Sequence, residues 1–484
     1  MKLSELISKI KVEEITVNCD INISSLGFDS RNVSKNQLFF AVSGTSADGH
    51  NFIDDAIKKG ATAIICERFP ENTNPEICYI KVADSNAAIG FVASEFYGNP
   101  SLKLKLTGVT GTNGKTTTAT LLYQLLRNYG YKTGLISTIA NYIDGEKIET
   151  THTTPDAIQI NELLCKMVEK GCDYCFMEVS SHAVAQERIA GLTFAGGIFS
   201  NITRDHLDYH GTFDAYINAK KKFFDQLSST AFALTNIDDR NGKVMLQSTK
   251  AKCKTYALKT IADYKCKILE RSFEGMLLNI DGVDVWTKCI GKFNAYNMLA
   301  IYATARELGI EKTETLRLLS NLDAAEGRFE CIRSESGITA IVDYAHTPDA
   351  LENVISTINE ICEDEKLITV VGCGGNRDKG KRPIMAKIAS ENSNLAILTS
   401  DNPRFENPDE ILKDMCEGIT PITRKKTLVI ADRREAIRTA IMMAKTNDVI
   451  LVAGKGHEHY QEVNGVRNHF DDKEVINEIF NEIK

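Results

Sequence analysis

The chain has 484 residues, 43% of them apolar and 25% charged, with a formal net charge of −8. That length allows two to four domains with their own cores, and the acidic balance argues against nucleic acid as a main partner, because phosphate neutralisation needs a basic face. The 13 cysteines, set mostly inside apolar runs, read as buried, reduced thiols of a cytoplasmic protein.

The first ten residues, "MKLSELISKI", place Leu3, Leu6, Ile7 and Ile10 at helical spacing and lack the apolar core of a signal peptide. No run approaches the ~18 apolar residues of a membrane span, so no membrane insertion is expected. Short strands then mix with one helix-to-strand unit, "NFIDDAIKKGATAIICE", and "YGNPS" (97–101) marks a turn and a first boundary. "LKLTGVTGTNGKTTTATLLYQLLRNYGYKTGLIST" follows as strand, glycine loop, helix, glycine stop and strand. That is a βαβ unit, and it implies a parallel sheet.

Inside this unit "GTNGKTT" is placed to hold phosphate. Gly111, Thr112, Asn113 and Gly114 would offer backbone N–H groups at a helix N-terminus, Lys115 would reach the outer phosphates, and Thr116 or Thr117 would put a hydroxyl on Mg²⁺. The strict P-loop pattern asks for glycine five residues before Gly114, where Val109 stands, so the loop is a variant. "CDYCFMEV" reads as a strand, with a redox pair of Cys172 and Cys175 as a competing reading. That strand ends in Glu178 and is followed by "SSH"; another ends in "SNITRDHLDYHG", carrying Asp205, His206, Asp208 and His210. Ligands of open α/β sheets gather beyond the carboxyl ends of strands, so both ends are expected to face the phosphate loop. A glutamate, a histidine and waters could hold Mg²⁺ there. "YINAKKKFF" reads on its own as a helix with a solvated basic face.

After a strand at "AFALTNID" and a helix at "AYNMLAIYATAREL", a second α/β block begins near residue 331, with strands at "ITAIVDYA", "LITVVGCG", "LAILTSD", "TLVIAD" and "DVILVAG". In "TSDNPRFENP" an Asn-Pro turn ends in Arg404, which calls for an anion; bracing against Glu406 is the alternative. The fold expected is α/β in three domains: 1–98, a central P-loop domain with a mostly parallel sheet over 99–330, and a Rossmann-like 331–484.

"TGTNGKTT", "MEVSSHA", "NITRDHLDYHG", "GKFNAYN", "EGRFE" and "VDYAHTPDAL", in this order, resemble the Mur ligases, ATP-dependent amide-forming enzymes of peptidoglycan precursor synthesis. "GCGGNRDKGKRP", "TSDNPR" and "AGKGHEHYQ" resemble the branch that adds diaminopimelate, and "FDSRNVSKNQLFFAVSGTSADGHNFI" is similar to a uridine-binding domain. The resemblance implies that ATP phosphorylates the D-glutamate γ-carboxylate of UDP-MurNAc-L-Ala-D-Glu and that an amine of meso-diaminopimelate attacks the acyl phosphate. It implies a CO₂-derived carbamate on Lys220, which would ligate Mg²⁺ with Glu178, His206 and Thr116. Asn297, Arg328 and Asp343 are implied to meet the nucleotide. Ser30, Ser46, Ala47 and Asp48 would meet the uridine end, and Thr153, Thr154, Ser180, Gln186 and Arg188 the muramoyl dipeptide. Arg377, Asp401, Asn402, Pro403, Arg404, Gly454 and Glu458 would bind diaminopimelate. Catalysis would rest on Lys115, Lys220, His206 and Glu178. Partners are small molecules, and a monomer is expected. Competing readings are a lysine-adding ligase, a folylpolyglutamate synthase lacking the uridine-type domain, and a nucleotide-gated binding protein without ligation.

Overall fold

The computed structural model of the chain describes residues 1–16, 21–44, 47–148 and 153–483. Three sheets of five, eleven and six strands follow one another along the chain, with a separate two-stranded hairpin near the C-terminus. The α/β, three-domain organisation expected from the sequence is therefore present.

The N-terminal sheet has strands in the order Val12–Ile15, Cys78–Val82, Ala61–Cys66, Gln37–Phe40 and Ser25–Gly27, parallel except at Val12–Ile15. The amphipathic N-terminus forms the short helix Leu3–Leu6, which buries Leu3 and Leu6.

At the centre of the large sheet, Lys105–Thr110 lies between Tyr174–Glu178 and Gly196–Phe199, all parallel. The chain leaves Lys105–Thr110 toward one edge, through the helix Lys115–Tyr129, and later returns to its other side at Gly196–Phe199. The strand order therefore reverses beside Lys105–Thr110, which opens a crevice above three adjacent carboxyl ends. These strands are buried at every position but Lys105, as strands covered on both faces are. Three parts of this sheet were not anticipated. Lys252–Ala257 adds a parallel strand beside Phe232–Asn236. Asn141–Ile143 and Glu146–Ile148 form a hairpin at one edge, and Tyr264–Ser272, Gly275–Ile280 and Val283–Thr287 form an antiparallel meander at the other.

The C-terminal sheet runs Glu330–Arg333, Thr339–Asp343, Val449–Ala453, Leu367–Cys373, Leu395–Ser400 and Thr427–Val429, parallel after its first pair. The added hairpin, Tyr460–Val463 with Val466–His469, stands against the loop that follows Ser400. Among the described residues every cysteine is a free thiol. Burial pushes Cys172 up to about 11 and Cys175 well above its ordinary value, which removes the thiolate a redox pair would need.

Candidate active site

The phosphate loop leaves the strand Lys105–Thr110 and enters the helix Lys115–Tyr129. Gly111 has no room for a side chain, since a Cβ there would lie 1.9 Å from Ser200 Oγ. Ser200 Oγ donates to Asn113 O at 2.6 Å, and Asn113 N–H donates to Asn201 Oδ1 at 2.9 Å, so the neighbouring strand end holds the loop open. Gly114 has φ +86°, and its α-carbon faces the Asn297 amide. Lys115 Nζ folds back onto Gly111 O and Thr112 O, both at 2.9 Å.

Lys220 is the main correction to the residue-level reading of "YINAKKKFF". Its side chain is buried, at 1% exposure, with Tyr216, Phe223 and Phe224 on the inner face of the helix Phe213–Asp225. Its Nζ donates to Gly111 O at 2.8 Å, the carbonyl that Lys115 also uses. Burial, and then the charge of Lys115, hold its ammonium well below the ordinary lysine value. Lys221 and Lys222 pair with Asp225 and Glu187 and keep the solvated role.

Glu178 ends its strand fully buried and is held by three hydroxyl or amide donors. Thr138 N–H reaches Oε1 at 2.7 Å, while Thr116 Oγ1 and Thr138 Oγ1 reach Oε2 at 3.0 and 3.2 Å. Thr153 Oγ1 lies 3.1 Å from Thr138 Oγ1, within hydrogen-bond reach of the same hydroxyl. His206 sits at φ +53°, beside Asp205 at 3.4 Å and in edge contact with the His182 ring at 4.8 Å. Among the described residues no three His, Cys, Asp or Glu side chains form a metal cluster. The Glu178 and Thr116 oxygens beside the phosphate loop nevertheless suit Mg²⁺, which is held by one or two carboxylates plus phosphate and water.

Thr154, Ser180, Gln186 and Arg188 form one linked group. Thr154 Oγ1 donates to Glu178 O at 2.8 Å, Ser180 N–H donates to Thr154 Oγ1 at 3.2 Å, and Arg188 donates to Thr154 O at 2.6 Å and to Gln186 Oε1. The uridine set lies apart, in the N-terminal domain. Ser30 O accepts from Lys59, Ala47 is exposed, and Asp48 caps a turn at His50 and pairs with Arg68; Ser46 lies outside the described residues.

The C-terminal residues gather at the carboxyl ends of their own sheet. Asp343 ends one strand and accepts from Phe329 N–H at 2.7 Å, and burial pushes its carboxyl up to about 6. The Arg328 guanidinium lies 4.7 Å from the Tyr344 ring centre and 3.5 Å from Thr116 Oγ1, so it spans from the C-terminal sheet to the phosphate loop. Asn113 Nδ2 makes a second crossing, donating to Asp349 Oδ2 at 2.6 Å. Gly454 N–H donates to Asp343 O at 3.0 Å, which sets the nucleotide and amino-acid candidates side by side.

Arg404 does not brace against Glu406, which is engaged by Arg382 at 3.0 Å and by Lys379. Its backbone, at φ +52°, is tied to the hairpin by one bridge, donating to Glu462 O at 3.0 Å and accepting from the Asn464 N–H at 2.6 Å. Its side chain donates to Gly375 O at 2.9 Å, and among the described residues it has no carboxylate partner. A Cβ on Gly374 would lie 2.8 Å from Arg404 Nη1 and 3.8 Å from Arg377 Cγ, so both arginines border the same bare stretch of backbone. Pro403 precedes this turn, and Asn402 Nδ2 donates to Glu458 Oε2 at 2.7 Å. Sequence reasoning missed Asp349, Tyr344, Lys455 and the hairpin. Asn464-Gly465 at its tip, both at positive φ, was the available signal.

The chain belongs to the Mur ligase family: "Mur ligase family, catalytic domain" matches residues 22–97, "Mur ligase middle domain" 109–305, and "Mur ligase, glutamate ligase domain" 327–456. It is 58% identical to the UDP-N-acetylmuramoyl-L-alanyl-D-glutamate–2,6-diaminopimelate ligase of Bacteroides fragilis, over 99% of each chain. A solved structure of a ligase of that name superposes with a TM-score of 0.71 at 32% identity, covering 100% of this chain and 99% of the other. Folylpolyglutamate synthase of Mycobacterium tuberculosis, complexed with ADP, shares the fold at 15% identity and a TM-score of 0.64, over 77% of this chain and 92% of its own.

Proposed function

We propose that the chain is an ATP-dependent, ADP-forming ligase joining meso-2,6-diaminopimelate to the D-glutamate γ-carboxylate of UDP-MurNAc-L-Ala-D-Glu, in cytoplasmic peptidoglycan precursor synthesis. The observation that carries the reading is the meeting of the phosphate loop with the strand ends of the C-terminal sheet, at Arg328–Thr116 and Asn113–Asp349. The near full-length relatives support it. No helix among the described residues is long and apolar enough to cross a membrane. We take 1–98 as the UDP-sugar domain, 99–330 as the ATPase and 331–484 as the amino-acid domain.

In this reading residues 111–117 cradle the ATP phosphates, and Asn297, Arg328 and Asp343 hold the nucleotide. Lys115 leaves Gly111 O and Thr112 O for the transferring phosphoryl group, where a fixed cation stabilises developing charge. The substrate γ-carboxylate, oriented by Thr153, Thr154, Ser180, Gln186 and Arg188, attacks the γ-phosphorus and releases ADP. The amine of diaminopimelate then adds to the acyl carbon; phosphate leaves, a proton is lost, and the amide forms. Mg²⁺, when bound, offsets the repulsion between the two anionic substrates. Glu178, Thr116 and His206 are the residues that would hold it, with Lys220 as carbamate. The lowered ammonium of Lys220 favours the free amine, whose nitrogen can bond to CO₂ carbon as its proton passes to solvent. Ser30, Ser46, Ala47 and Asp48 are left for the uridine end.

Diaminopimelate differs from lysine by one distal carboxylate. Arg404 offers that group a planar fork with no carboxylate of its own, beside Arg377. Lysine would leave the fork unpaired in a closed site, a loss on the scale of ~10³-fold in discrimination. An amino-acid panel with ATP and UDP-MurNAc-L-Ala-D-Glu, scored by product mass, tests the reading. Strong preference for meso-diaminopimelate over L-lysine is expected, and Arg404→Ala should lose most of it with a raised KM. Equal kcat/KM for the two amino acids would leave the ligase but not its substrate. Absence of amide with every amino acid would favour a nucleotide-gated binding protein.

A further inference from the structure

We propose that Lys455 is a positioning residue for the incoming amino acid; the inference rests on the ligase reading above. Lys455 follows Gly454, and its side chain is 0% exposed, enclosed by the side chains it contacts. Its Nζ donates to Asn402 Oδ1 at 3.1 Å and lies 3.4 Å from Glu458 Oε2. Asn402 Oδ1 also accepts from Glu462 N–H at 2.9 Å. With two donors on the oxygen, the amide can point only one way, and Nδ2 is left to donate to Glu458 Oε2 at 2.7 Å. The buried ammonium and the Glu462 N–H together fix the direction of the Asn402 amide, and the ammonium and that amide fix Glu458. Both bonds fall on one oxygen of Glu458, Oε2, while Oε1 accepts from the Tyr344 hydroxyl at 3.5 Å.

The same ammonium sets charge. Burial raises the Asp401 carboxyl, but Lys455 and then Arg433 bring it below its ordinary value. Burial and the Asp401 charge push Glu458 up, and Lys455 is the cation that opposes them. Without Lys455, Glu458 would more readily hold a proton and lose the negative charge that pairs with an amino-acid ammonium. A buried cation with no stabilising role better than an apolar chain of the same shape is expensive to keep, which favours a part in binding.

The test uses the full-length enzyme, with the amino-acid panel on the unmutated protein first. If that protein takes an amino acid other than diaminopimelate, the substrate reading fails and the same measurement proceeds with the amino acid taken. Lys455→Met should raise KM for the amino acid by about ten-fold or more, as loss of oriented charged contacts does, while KM for ATP and for the UDP-dipeptide stay within about two-fold. The acidic limb of kcat/KM for the amino acid should move to higher pH. Lys455→Arg, which keeps the charge but not the compact shape, should raise the same KM by less. Three outcomes overturn the proposal: an unchanged amino-acid KM with lowered kcat, an equal rise in all three KM values, or loss of folding in both variants, since the lysine then serves only stability.

Discussion

Lys115 and Lys220 donate to one carbonyl oxygen, Gly111 O, at 2.9 and 2.8 Å, and two full charges there would repel. Lys220, the more buried, is the one that benefits from losing its proton. Lys220→Arg keeps a cation that stays protonated and cannot add CO₂. Ligation should fall by at least ~10²-fold, typical of losing one preorganised electrostatic element. Lys220→Ala should regain part of the activity with added acetate or formate filling the space. Normal activity in Lys220→Arg would mean that the lysine acts as an ammonium. Asp343 gives a pH signature of a different kind. Its folded value of about 6 lies above an unfolded 3.8, so between those values the folded state keeps a proton that the unfolded state releases. Stability from this group is full below pH ~4 and lost as pH rises through ~6, at most about 3 kcal/mol. Asp343→Asn should therefore gain in Tm on the wild type between pH 4 and pH 7 while weakening ATP binding. A Tm difference that is the same at both pH values would show that the carboxyl is not protonated in the fold.

At the level of elements, most parallel strands of the central and C-terminal sheets were legible as largely apolar runs bounded by turn residues, and the sites follow from their carboxyl ends. Lys252–Ala257 was not, because two lysines and a threonine interrupt it. The hairpins were not. Asp144-Gly145, Asp281-Gly282 and Asn464-Gly465 all carry positive φ at both positions, the signature of a tight hairpin turn, yet their strands alternate with exposed charges and resemble loops when βαβ units set the frame. Lys220 was hidden in a similar way. Three consecutive lysines suggest a solvated face, whereas the spacing of Tyr216, Lys220, Phe223 and Phe224 gives the buried one. What depends on contact between distant elements, such as Asn113 with Asp349, leaves no local trace. The strand-end turn at Gly454 offers a prediction on this scale. At φ +117°, with a Cβ position 2.5 Å from Asp401 Oδ2, Gly454→Ala must displace that carboxylate or the turn. KM for the amino acid should rise by about ten-fold, with KM for ATP little changed. Equal effects on both would mean that the turn supports the whole sheet end rather than the amino-acid pocket.

Across the whole molecule, the chemistry asks for two events in order, acyl-phosphate formation and then amine attack, with water kept out between them. In the proposed reading the central domain holds the phosphate loop and the C-terminal domain brings the amine, so their contact must carry the coupling. The structure provides that contact from the loop itself. Asn113 is fixed by Ser200 and Asn201 on its own sheet and donates across to Asp349, in the first turn of the helix Pro348–Ile361. Asp349→Ala removes an ionisable partner without emptying a core position, so the fold should survive. If the bond holds the C-terminal domain over the loop, its loss costs on the order of 1–2 kcal/mol of closure, and amide formation should slow by about ten-fold. The acyl phosphate would meanwhile meet water, so more than one phosphate would be released per amide made. Counting phosphate and amide in the same reaction checks this. A ratio that stays at one, with kcat unchanged, would mean that closure rests on Arg328 and Thr116 and that the Asn113–Asp349 bond only accompanies it.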